Sequence, residues 1–457
     1  MLKYLISNED MALYVPRRNF FSILAYLRSG YGDKEATFDL YVKELPHRRN
    51  YLVAAGLEEA IQILLNFKFS PDDITWLKTV FPLTKEEEKF FLKFRFSGDI
   101  WGLDEGTICF PFEPLMRLTG KLVELQLFEA ILFNVVGFQT MIASKIARIF
   151  HSAKPNGFIV GELRTQGLEA AVKIARSGYI TGMTNMSLLL AQKWYDSPSY
   201  GGTASHFFIS SYPTEIDAFR AYLSANPLGS VMVDTYDVKT GVENVIVVAK
   251  EMEQRGEKLH GIVLDSGDLL AQSIMAREML DTHNLQHVKI IGMSNLDEYK
   301  ISDLKGKGSK IDFYGMVTDV VTSADSPKLE IVYKIAEVKE PHGWVPKAKF
   351  SENKETYAGR KQVFRKKSGS FFSGDIIALE EESCEGGALL QKFVEDGALV
   401  KVQPNLQEIR EHFIKQCEAF PPGLFDLHKE FHYPIQVSEG VKDATSLARK
   451  NHYQNTP

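Results

Sequence analysis

The sequence predicts an α/β fold, with an irregular parallel α/β barrel in the middle of the chain and a second β-rich domain formed from the N- and C-terminal segments. Short, continuously apolar runs in the middle are typical of parallel strands buried on both faces. These runs alternate with helical segments at a spacing of roughly thirty residues, the pattern of βαβ units. Both flanks, in contrast, show strand-and-turn patterns.

The chain of 457 residues is long for one domain, so two or three domains are expected. We predict an N-terminal helical and β-rich part over 1–145 and an α/β barrel with the catalytic site over 146–335. A β-rich part over 336–410 is predicted to join the N-terminal domain. Residues 411–457 are predicted to form a helical segment and a polar tail, loosely held after Pro434.

Seven apolar runs are predicted to be barrel strands, and polar or amphipathic segments between them are predicted to be helices. The strands are placed at 158–160, 179–184, 206–210, 230–236, 261–265, 288–293 and 311–318. Helices are placed after Gly167, at 215–224, 242–255 and 269–280, and from about Leu296. No GxGxxG follows an early strand, so a dinucleotide-binding Rossmann unit is not supported.

The flanks contain fewer regular patterns. Helices are predicted at 57–65 and 85–96, and strands at 37–42, 361–365 and 375–379. These strand and turn patterns predict a second, β-rich domain made from both ends of the chain.

Composition excludes several classes of protein. A net charge of −6 gives no overall attraction to nucleic acid or to an anionic membrane. The three cysteines are far apart, show no metal-ligand spacing and fit a reducing compartment. The first residues contain no apolar run of signal-peptide length, so a cytoplasmic location is expected.

Polar side chains follow four successive predicted strands. Because the active site of a parallel barrel lies at the carboxyl ends of its strands, we expect these residues at one rim. They are Asp234, Asp237, Asp265, Asp268, Ser294 and Thr318. For any one of them a helix N-cap is the more common role.

Asp265-Ser266-Gly267-Asp268 is more specific than a single cap. Two acids bracket a Ser-Gly turn directly before a helix, an arrangement suited to holding sugar hydroxyls, or a metal, beside a developing positive charge. His206 follows a Gly-rich bend, and a histidine can act as a nucleophile toward phosphorus or as a proton carrier. A lone histidine is more often structural.

Basic residues are densest between 347 and 367. A solvated loop face is the usual meaning of such a run, although a loop of this composition can also fold over an anion. The run contains Lys347, Lys349, Lys354, Arg360, Lys361, Arg365, Lys366 and Lys367.

Taken together, these motifs resemble the nicotinate phosphoribosyltransferase family. The most specific are Asp234-Thr235-Tyr236-Asp237 and LeuAspSerGlyAsp at 264–268, followed by Ser294 with LeuAspGlu at 296–298. Further matches run in order over about 36–370. They are 49–58, 105–106, 112–114, Glu129, 143–148, 314–318, 332–334 and 349–354 with Gly359 and Lys361.

The resemblance implies a barrel and a β-rich domain, working as a homodimer with active sites shared across the interface. It implies transfer of the ribose of phosphoribosyl pyrophosphate to a pyridine-type base, nicotinate, to form nicotinate mononucleotide, with ATP as co-substrate and Mg²⁺. His206 corresponds to the family's phosphorylated histidine, and Asp265 and Asp268 to acids around ribose and pyrophosphate. The implied substrate-binding residues are Arg164, Asp234, Ser294, Thr318, Lys43, Lys349, Lys354 and Lys361.

Several positions of the implied base pocket differ from the family. Val263 stands where the family has an arginine before the LeuAspSerGlyAsp motif, and valine offers no donor to a carboxylate. Leu163-Arg164 replaces a pair of arginines, and Val317 replaces a glycine of a phosphate-facing turn. The other differences are Val160, 186–188, a turn after Ser294 that is one residue short, and 16–19, where Tyr14 is the nearest tyrosine to the family's stacking position.

Three hypotheses therefore remain open at this point. The chain is a nicotinate phosphoribosyltransferase with a reshaped base pocket, a phosphoribosyltransferase for a different, uncharged base, or a catalytically weakened paralogue that binds a nucleotide or a partner. Since function resides in the site, fold alone does not separate them.

Overall fold

The computed structural model of the chain describes residues 7, 9–197, 201–352 and 354–454. The chain divides into two compact units. The first contains 1–141 and 328–457, and the second contains 142–327. The predicted boundaries, at 145/146 and 335/336, lie a few residues away from these. Asn353 of the basic motif and the last three residues of the predicted tail lie outside the described residues.

The first unit begins with helices and strands that alternate irregularly. Its helices up to the junction are α1 (Arg17–Arg28), α2 (Leu57–Asn66), α3 (Pro71–Val80), α4 (Lys85–Lys93), α5 (Leu122–Leu125) and α6 (Glu129–Leu132), with 3-10 residues Met11–Leu13 and a π-helical turn at Phe133–Gly137. Its strands are β1 (Glu35–Val42), β2 (Leu52–Val53), β3 (Asp99–Leu103), β4 (Ile108–Cys109) and β5 (Pro114–Lys121). Ser70 and Thr84 cap α3 and α4 through capping boxes, which explains where these helices begin.

The second unit alternates strand and helix. Its strands are β6 (Gly157–Val160), β7 (Thr203–Ala204), β8 (Ser230–Met232), β9 (Gly261–Leu264), β10 (Lys289–Gly292) and β11 (Phe313–Met316). Its helices are α7 (Phe138–Ala153), which begins in the first unit, α8 (Leu168–Ile180), α9 (Leu189–Tyr195), α10 (His206–Ser210), α11 (Glu215–Ala225), α12 (Val238–Gln254), α13 (Leu269–Thr282), α14 (Glu298–Gly306) and α15 (Thr318–Val321), with a 3-10 turn at Glu162–Arg164.

The C-terminal segment returns to the first unit. Its strands are β12 (Ile331–Glu340), β13 (Gly343–Pro346), β14 (Lys361–Ser368), β15 (Phe371–Leu379), β16 (Gly387–Ala388), β17 (Leu390–Glu395), β18 (Ala398–Leu399) and β19 (Ile435–Val437). Its helices are α16 (Leu406–Ala419) and α17 (Glu439–Gln454), with a 3-10 turn at Pro422–Phe425.

The predicted fold class is confirmed in both units. In the second unit the six strands form a parallel, curled half-barrel in the order β6-β11-β10-β9-β8-β7. In the first unit a seven-stranded sheet in the order β13-β12-β1-β5-β3-β17-β18 combines strands from both ends of the chain. Strand β1, for example, pairs antiparallel with both β12 and β5.

Two predicted barrel strands are wrong. Residues 179–180 end helix α8, and the chain then turns at Gly182, where φ is +103°. The predicted strand at 206–210 is helix α10, which follows the two-residue strand β7. Both segments are apolar because they are packed, and a short buried run does not distinguish a strand from a helix.

The prediction of a loosely held tail after Pro434 is also wrong. Strand β19 pairs in parallel with Asp375–Ile377 of β15, and helix α17 buries Val441 and Ala448. A polar segment can still pack, because a few buried apolar side chains and strand pairing are sufficient to hold it.

The second unit is tied together by a buried ionic cluster. Lys145 of α7 lies 2.6 Å from Glu298 of α14 and 3.0 Å from Asp325, and Arg148 lies 2.8 Å from Glu298. Lys145, Arg148 and Glu298 are almost completely buried. The start and the end of this unit are therefore held beside one another.

Helical residues 129–153 are apolar and long enough to cross a membrane by length and composition, but 72% of their most apolar window is buried within the protein. This burial is typical of a core helix.

A buried polar network organises the C-terminal strands of the first unit. Arg365 of β14 donates to Asp375 of β15 at 2.6 Å, and Tyr433 donates to the same carboxylate at 3.0 Å. Glu113 is completely buried nearby and accepts the Phe110 N–H at 2.9 Å. Burial, and then the negative charge of Asp375, raises the pKa of Glu113 well above its usual value.

This network predicts how stability depends on pH. The pKa of Glu113 is raised in the folded state, so its contribution is fully present below the unfolded pKa of about 4.3 and is lost as pH rises through the folded value. Glu113→Gln keeps the shape and removes the ionisation. We expect the melting temperature of the variant to rise relative to the natural chain as pH increases from about 5 to about 9. The exposed Glu243→Gln is the control, and a Glu113→Gln difference that does not change with pH would contradict the expectation.

Candidate active site

The carboxyl ends of the parallel strands bring most of the predicted barrel residues together. Asp234 follows β8, Asp265 follows β9, Ser294 follows β10 and Thr318 follows β11. Neighbouring parallel strands place their following loops at the same edge of the sheet. The residues that surround His206 therefore come from separate β-strand ends.

His206 faces two carboxylates. Its Nε2 atom lies 3.7 Å from Oδ2 of Asp265 and 3.9 Å from Oδ1 of Asp234. The Asp234 side chain is 1% exposed, whereas the imidazole is 41% exposed. A buried acid thus supports a histidine that a substrate can reach.

Asp234 is fixed by the loop after β9. Its Oδ2 accepts the backbone N–H of Asp265 at 2.9 Å and the hydroxyl of Ser266 at 2.6 Å. Its Oδ1 accepts no hydrogen bond from the part of the chain that the structure describes. This oxygen is available to a positive charge or to a donor of a substrate.

Asp265 is an acid with a perturbed ionisation. Burial, and then the charge of Asp234, raises its pKa, while His206, the Ser294 N–H and Arg164 oppose the shift. The ionised carboxylate of Asp265 is therefore stabilised most when positive charge develops beside it.

Arg164 and Thr318 are in direct contact. Arg164 Nη1 donates to Thr318 Oγ1 at 3.0 Å, and its charge is close enough to lower the pKa of Asp265. Ser294 has a φ of +81° and Asn295 a φ of +40°, so two successive non-glycine residues hold a left-handed backbone in the shortened turn. Such strain is often found at functional sites.

Two predicted site acids act as helix caps. Asp268 Oδ1 accepts the N–H groups of Leu270 and Ala271 at the start of α13. Asp237 accepts the Thr240 N–H at the start of α12. The catalytic role of Asp268 stays a prediction, since an exposed second face of its carboxylate is compatible with both functions.

Thr235 was not assigned a role from the sequence. Its hydroxyl oxygen lies 2.9 Å from Nδ1 of His206. The only sequence signal was its place between the two acids of Asp234-Thr235-Tyr236-Asp237. Its position in this motif does not show that it lies beside His206, and only the structure reveals the contact.

Three of the positions that differ from the family pattern are apolar and buried, and a fourth is apolar and exposed. Val263, Val160 and Met186 are fully buried, while Leu163 is 86% exposed. Val317 adopts a φ of −135°, so the turn after β11 does not use the positive φ that a glycine would allow here.

Glu162 is a second residue that the sequence analysis missed. It is buried just after β6, and one carboxylate oxygen accepts the Ser187 hydroxyl. The other oxygen, Oε1, has no hydrogen-bond partner among the residues described. Burial raises the pKa of this carboxyl group.

The predicted lysines lie in the first unit. Lys43 and Lys349 are both close enough to Lys334 for their charges to change its pKa. Burial, and then these two lysines together with Arg18, lowers the pKa of Lys334 despite the opposing charge of Glu129. Lys354 is exposed. The hydrogen bond and charge of Lys328 lower the pKa of Glu330 most, and the charges of Lys43 and Lys354 lower it further. Lys334 therefore extends the predicted basic group.

Lys361 differs from the expectation of an exposed basic loop. It begins β14, its side chain is 2% exposed, and Nζ lies 2.7 Å from Oδ2 of Asp39. Nζ also donates to the carbonyl oxygens of Tyr357 and Gly359 at 2.8 Å. All three ammonium protons are therefore used internally, and the structure gives no support to a contact between Lys361 and phosphate.

Comparison with known proteins places these features in a family. Residues 20–137 match the model of the nicotinate phosphoribosyltransferase (NAPRTase) N-terminal domain. A nicotinate phosphoribosyltransferase of Mycobacterium tuberculosis is 35% identical over 91% of this chain and 89% of its own. One from Bacillus subtilis is 33% identical over 96% of this chain and 95% of its own.

Solved structures agree in fold. The crystal structure of human nicotinic acid phosphoribosyltransferase covers 94% of this chain and 98% of its own, with a TM-score of 0.83 and 23% identity. At this identity the likeness concerns the fold, and the sequence relatives carry the family assignment. On their identity and coverage, the chain belongs to the nicotinate phosphoribosyltransferase family.

Proposed function

We propose that this protein joins nicotinate to the ribose of phosphoribosyl pyrophosphate, forming nicotinate mononucleotide and pyrophosphate with the help of ATP hydrolysis. The observation that carries the proposal is the group formed by His206, Asp234 and Asp265 in a chain of this family. Membership alone would leave the activity open, because the base pocket departs from the family at several positions.

The two acids suit the reaction. Displacement of pyrophosphate from the anomeric carbon develops positive charge on the ribose ring, and carboxylates held beside the ring stabilise this charge. Asp265 is half-buried, and Oδ1 of Asp234 is available. Both groups are pre-positioned by the loop after β9, so little reorganisation is needed during the reaction.

The leaving group becomes more negative and requires cations. In the second unit Arg164, whose charge opposes the raised pKa of Asp265, is proposed to supply one of them. Phosphate binding is also proposed for the lysines that the family resemblance implies, with Lys334 added: Lys43, Lys334, Lys349 and Lys354. We include Lys334 because burial, and then the charges of Lys349, Arg18 and Lys43, lower its pKa, and a bound anion would favour its protonated form.

Magnesium enters the proposal with the substrates. Within the described ranges, no three His, Cys, Asp or Glu side chains are grouped as a metal site. Mg²⁺ commonly binds through substrate phosphates and one or two carboxylates, keeping several waters. We therefore assign it to the phosphates of phosphoribosyl pyrophosphate and ATP.

His206 is proposed to accept the γ-phosphoryl group of ATP. We expect ATP to increase the yield of nicotinate mononucleotide in the natural chain, and His206→Asn to abolish this increase because asparagine has no nucleophilic nitrogen. The measurement is product formation from nicotinate, phosphoribosyl pyrophosphate and Mg²⁺, with and without ATP. The control His283→Asn changes an exposed histidine of the same unit.

Two results of this assay would count against the proposal. Stimulation by ATP that persists in folded His206→Asn would move the phosphoryl acceptor elsewhere. An absence of product in the natural chain, with retained binding of nucleotide, would favour a catalytically weakened paralogue.

A second candidate function is phosphoribosyl transfer to an uncharged base. Val263 is fully buried and offers no donor, and Glu162 adds a buried carboxyl group near the end of β6. Burying the carboxylate of nicotinate without a partner would cost several kcal/mol. In the nicotinate proposal Arg164, or the Arg17-Arg18 pair of a neighbouring subunit, must therefore supply the cation.

Base preference provides a prediction. Val263→Arg should raise kcat/KM for nicotinate relative to nicotinamide by about tenfold or more, since a charge-assisted hydrogen bond contributes about 1.5–3 kcal/mol. The preference of the natural chain for nicotinate or nicotinamide distinguishes the two candidate functions. Val263→Ile is the control without a cation.

A buried arginine can itself destabilise the core, so melting temperatures are measured for both Val263 variants. Leu163→Arg, at an exposed position, restores the other missing family arginine without that risk. If both arginine variants fold and neither changes the ratio of the two bases, the carboxylate argument is wrong.

The protein is also proposed to be a homodimer. Large apolar side chains of the second unit are exposed, and some of them adjoin the site residues Arg164, His206 and Thr235 in the sequence. They are Leu163, Leu168, Leu189, Trp194, Phe207 and Tyr236. A second copy that covers them would bury this surface, and the family resemblance implies sites shared between subunits. A cytoplasmic location fits the phosphorylated substrates and the free cysteines.

Light scattering at micromolar concentration should give twice the 51.6 kDa of one chain. We expect an interface well over the ~1,600 Å² of a standard complex. Trp194→Glu with Phe207→Glu should shift the equilibrium to the monomer, because two charges would be desolvated on association. Trp76→Glu, an exposed tryptophan of the first unit, is the control. A monomeric natural chain would refute the dimer.

A further inference from the structure

The two ring nitrogens of His206 have different surroundings. Nε2 faces Oδ2 of Asp265 at 3.7 Å and Oδ1 of Asp234 at 3.9 Å. Nδ1 lies 2.9 Å from the hydroxyl oxygen of Thr235, within hydrogen-bond distance. The imidazole is thus held between acids on one side and an alcohol on the other.

Thr235 is held by the backbone around it. Val233 N–H donates to the Val263 carbonyl at 3.1 Å, which continues the pairing of β8 with β9. Asp234 is then attached to the loop after β9 through the Asp265 N–H and the Ser266 hydroxyl. The residue that follows is consequently placed by two neighbouring strands.

Electrostatics decides which nitrogen carries the proton. A lone pair on Nε2 would point toward two carboxylate oxygens, whereas an N–H on Nε2 is attracted by both. On this ground we infer that the neutral ring carries its proton on Nε2 and its lone pair on Nδ1. In that tautomer the Thr235 hydroxyl donates to Nδ1, because a hydroxyl can act as donor or acceptor.

We propose that Thr235 is a positioning residue that orients His206 and presents the Nδ1 lone pair to the γ-phosphorus of ATP. This role rests on the proposed function, in which His206 accepts the phosphoryl group. A hydroxyl at 2.9 Å restricts rotation of a ring that is otherwise 41% exposed. It also occupies the reactive nitrogen until a phosphoryl donor replaces it.

The chemical step balances on these groups. The Nδ1 lone pair forms the N–P bond, and the bond from the γ-phosphorus to its bridging oxygen breaks with both electrons leaving on ADP. The Nε2 proton stays on the ring, and the resulting positive charge is stabilised by Asp234 and Asp265. The Thr235 hydroxyl, displaced from Nδ1, is free to donate to a phosphoryl oxygen.

The test compares Thr235→Val, which has nearly the same shape without a hydroxyl, with Thr235→Ser, which keeps the hydroxyl. Thr240→Val is the matched control, since the Thr240 hydroxyl donates to Asp237 at the start of α12 and not to His206. Each full-length variant is labelled with ¹⁵N-histidine, and His206→Asn identifies the His206 signals. Long-range ¹H–¹⁵N spectra then report the tautomer without any ATP.

In the natural chain we expect the Nε2–H tautomer, and a phosphohistidine at Nδ1 after incubation with Mg²⁺ and ATP. Thr235→Val should lower the single-turnover rate of phosphorylation by about tenfold or more, which corresponds to about 1.4 kcal/mol in the barrier. Its tautomer signals should move toward a mixture. Thr235→Ser should restore both the rate and the signals, which a purely structural role of the methyl group would not predict.

Three outcomes would overturn the proposal: a proton on Nδ1 in the natural chain, phosphate on Nε2, or a folded Thr235→Val that matches the natural chain in rate and tautomer. Failure of the proposed function looks different. If no histidine is phosphorylated, both the proposed ATP step and the role of Thr235 in it are refuted. If His206 is phosphorylated at the same rate in Thr235→Val, only the positioning role is refuted.

Discussion

The buried carboxylate of Asp234 is the constraint on which the geometry of the candidate site depends. A charge this deep in the protein would cost several kcal/mol without partners, and two hydrogen bonds from Asp265 and Ser266 offset much of that cost. The same bonds join the loops after β8 and β9. They place Asp265 and Thr235 on two sides of His206, so one interaction determines both the acidic and the alcohol contacts of the imidazole.

Much of the fold follows from the sequence for a simple physical reason. Strands β8 to β11 lie within their predicted ranges because a strand buried on both faces must be apolar throughout and short. The same criterion failed at 179–184 and 206–210, where buried helical segments have the same composition. The prediction of a loosely held segment after Pro434 is wrong for a different reason: β19 and α17 bury only a few side chains and are polar elsewhere.

The residues of the candidate site that follow parallel strands are predictable from the sequence, because the order of strands and helices fixes their position. Asp234 and Asp265 could be found because strand ends in a parallel sheet converge. Lys361 could not be judged in the same way, since its neighbours in sequence indicate a basic loop and its partner, Asp39, lies at the other end of the chain. The contacts of Thr235 with His206 and of Glu162 with Ser187 join segments that are distant in sequence, so no sequence pattern predicts them. The sequence shows Val263 in place of the family's arginine, but which other cation could meet a carboxylate does not follow from a linear pattern.

The sheet shared by both chain ends has a consequence for how the protein is made. Strand β12, the partner of β1, follows the whole second unit in the chain, so the sheet cannot be completed until that unit has been synthesised. Pairing distant segments is entropically costly and slow. The second unit is continuous, and the contact of Lys145 with Asp325 brings its beginning and end together. If the second unit folds first on the ribosome, the chain between β1 and β12 is shortened to a compact unit with adjacent ends. The pairing of these strands then closes a short loop, so the N-terminal domain can be completed only after the second unit has folded.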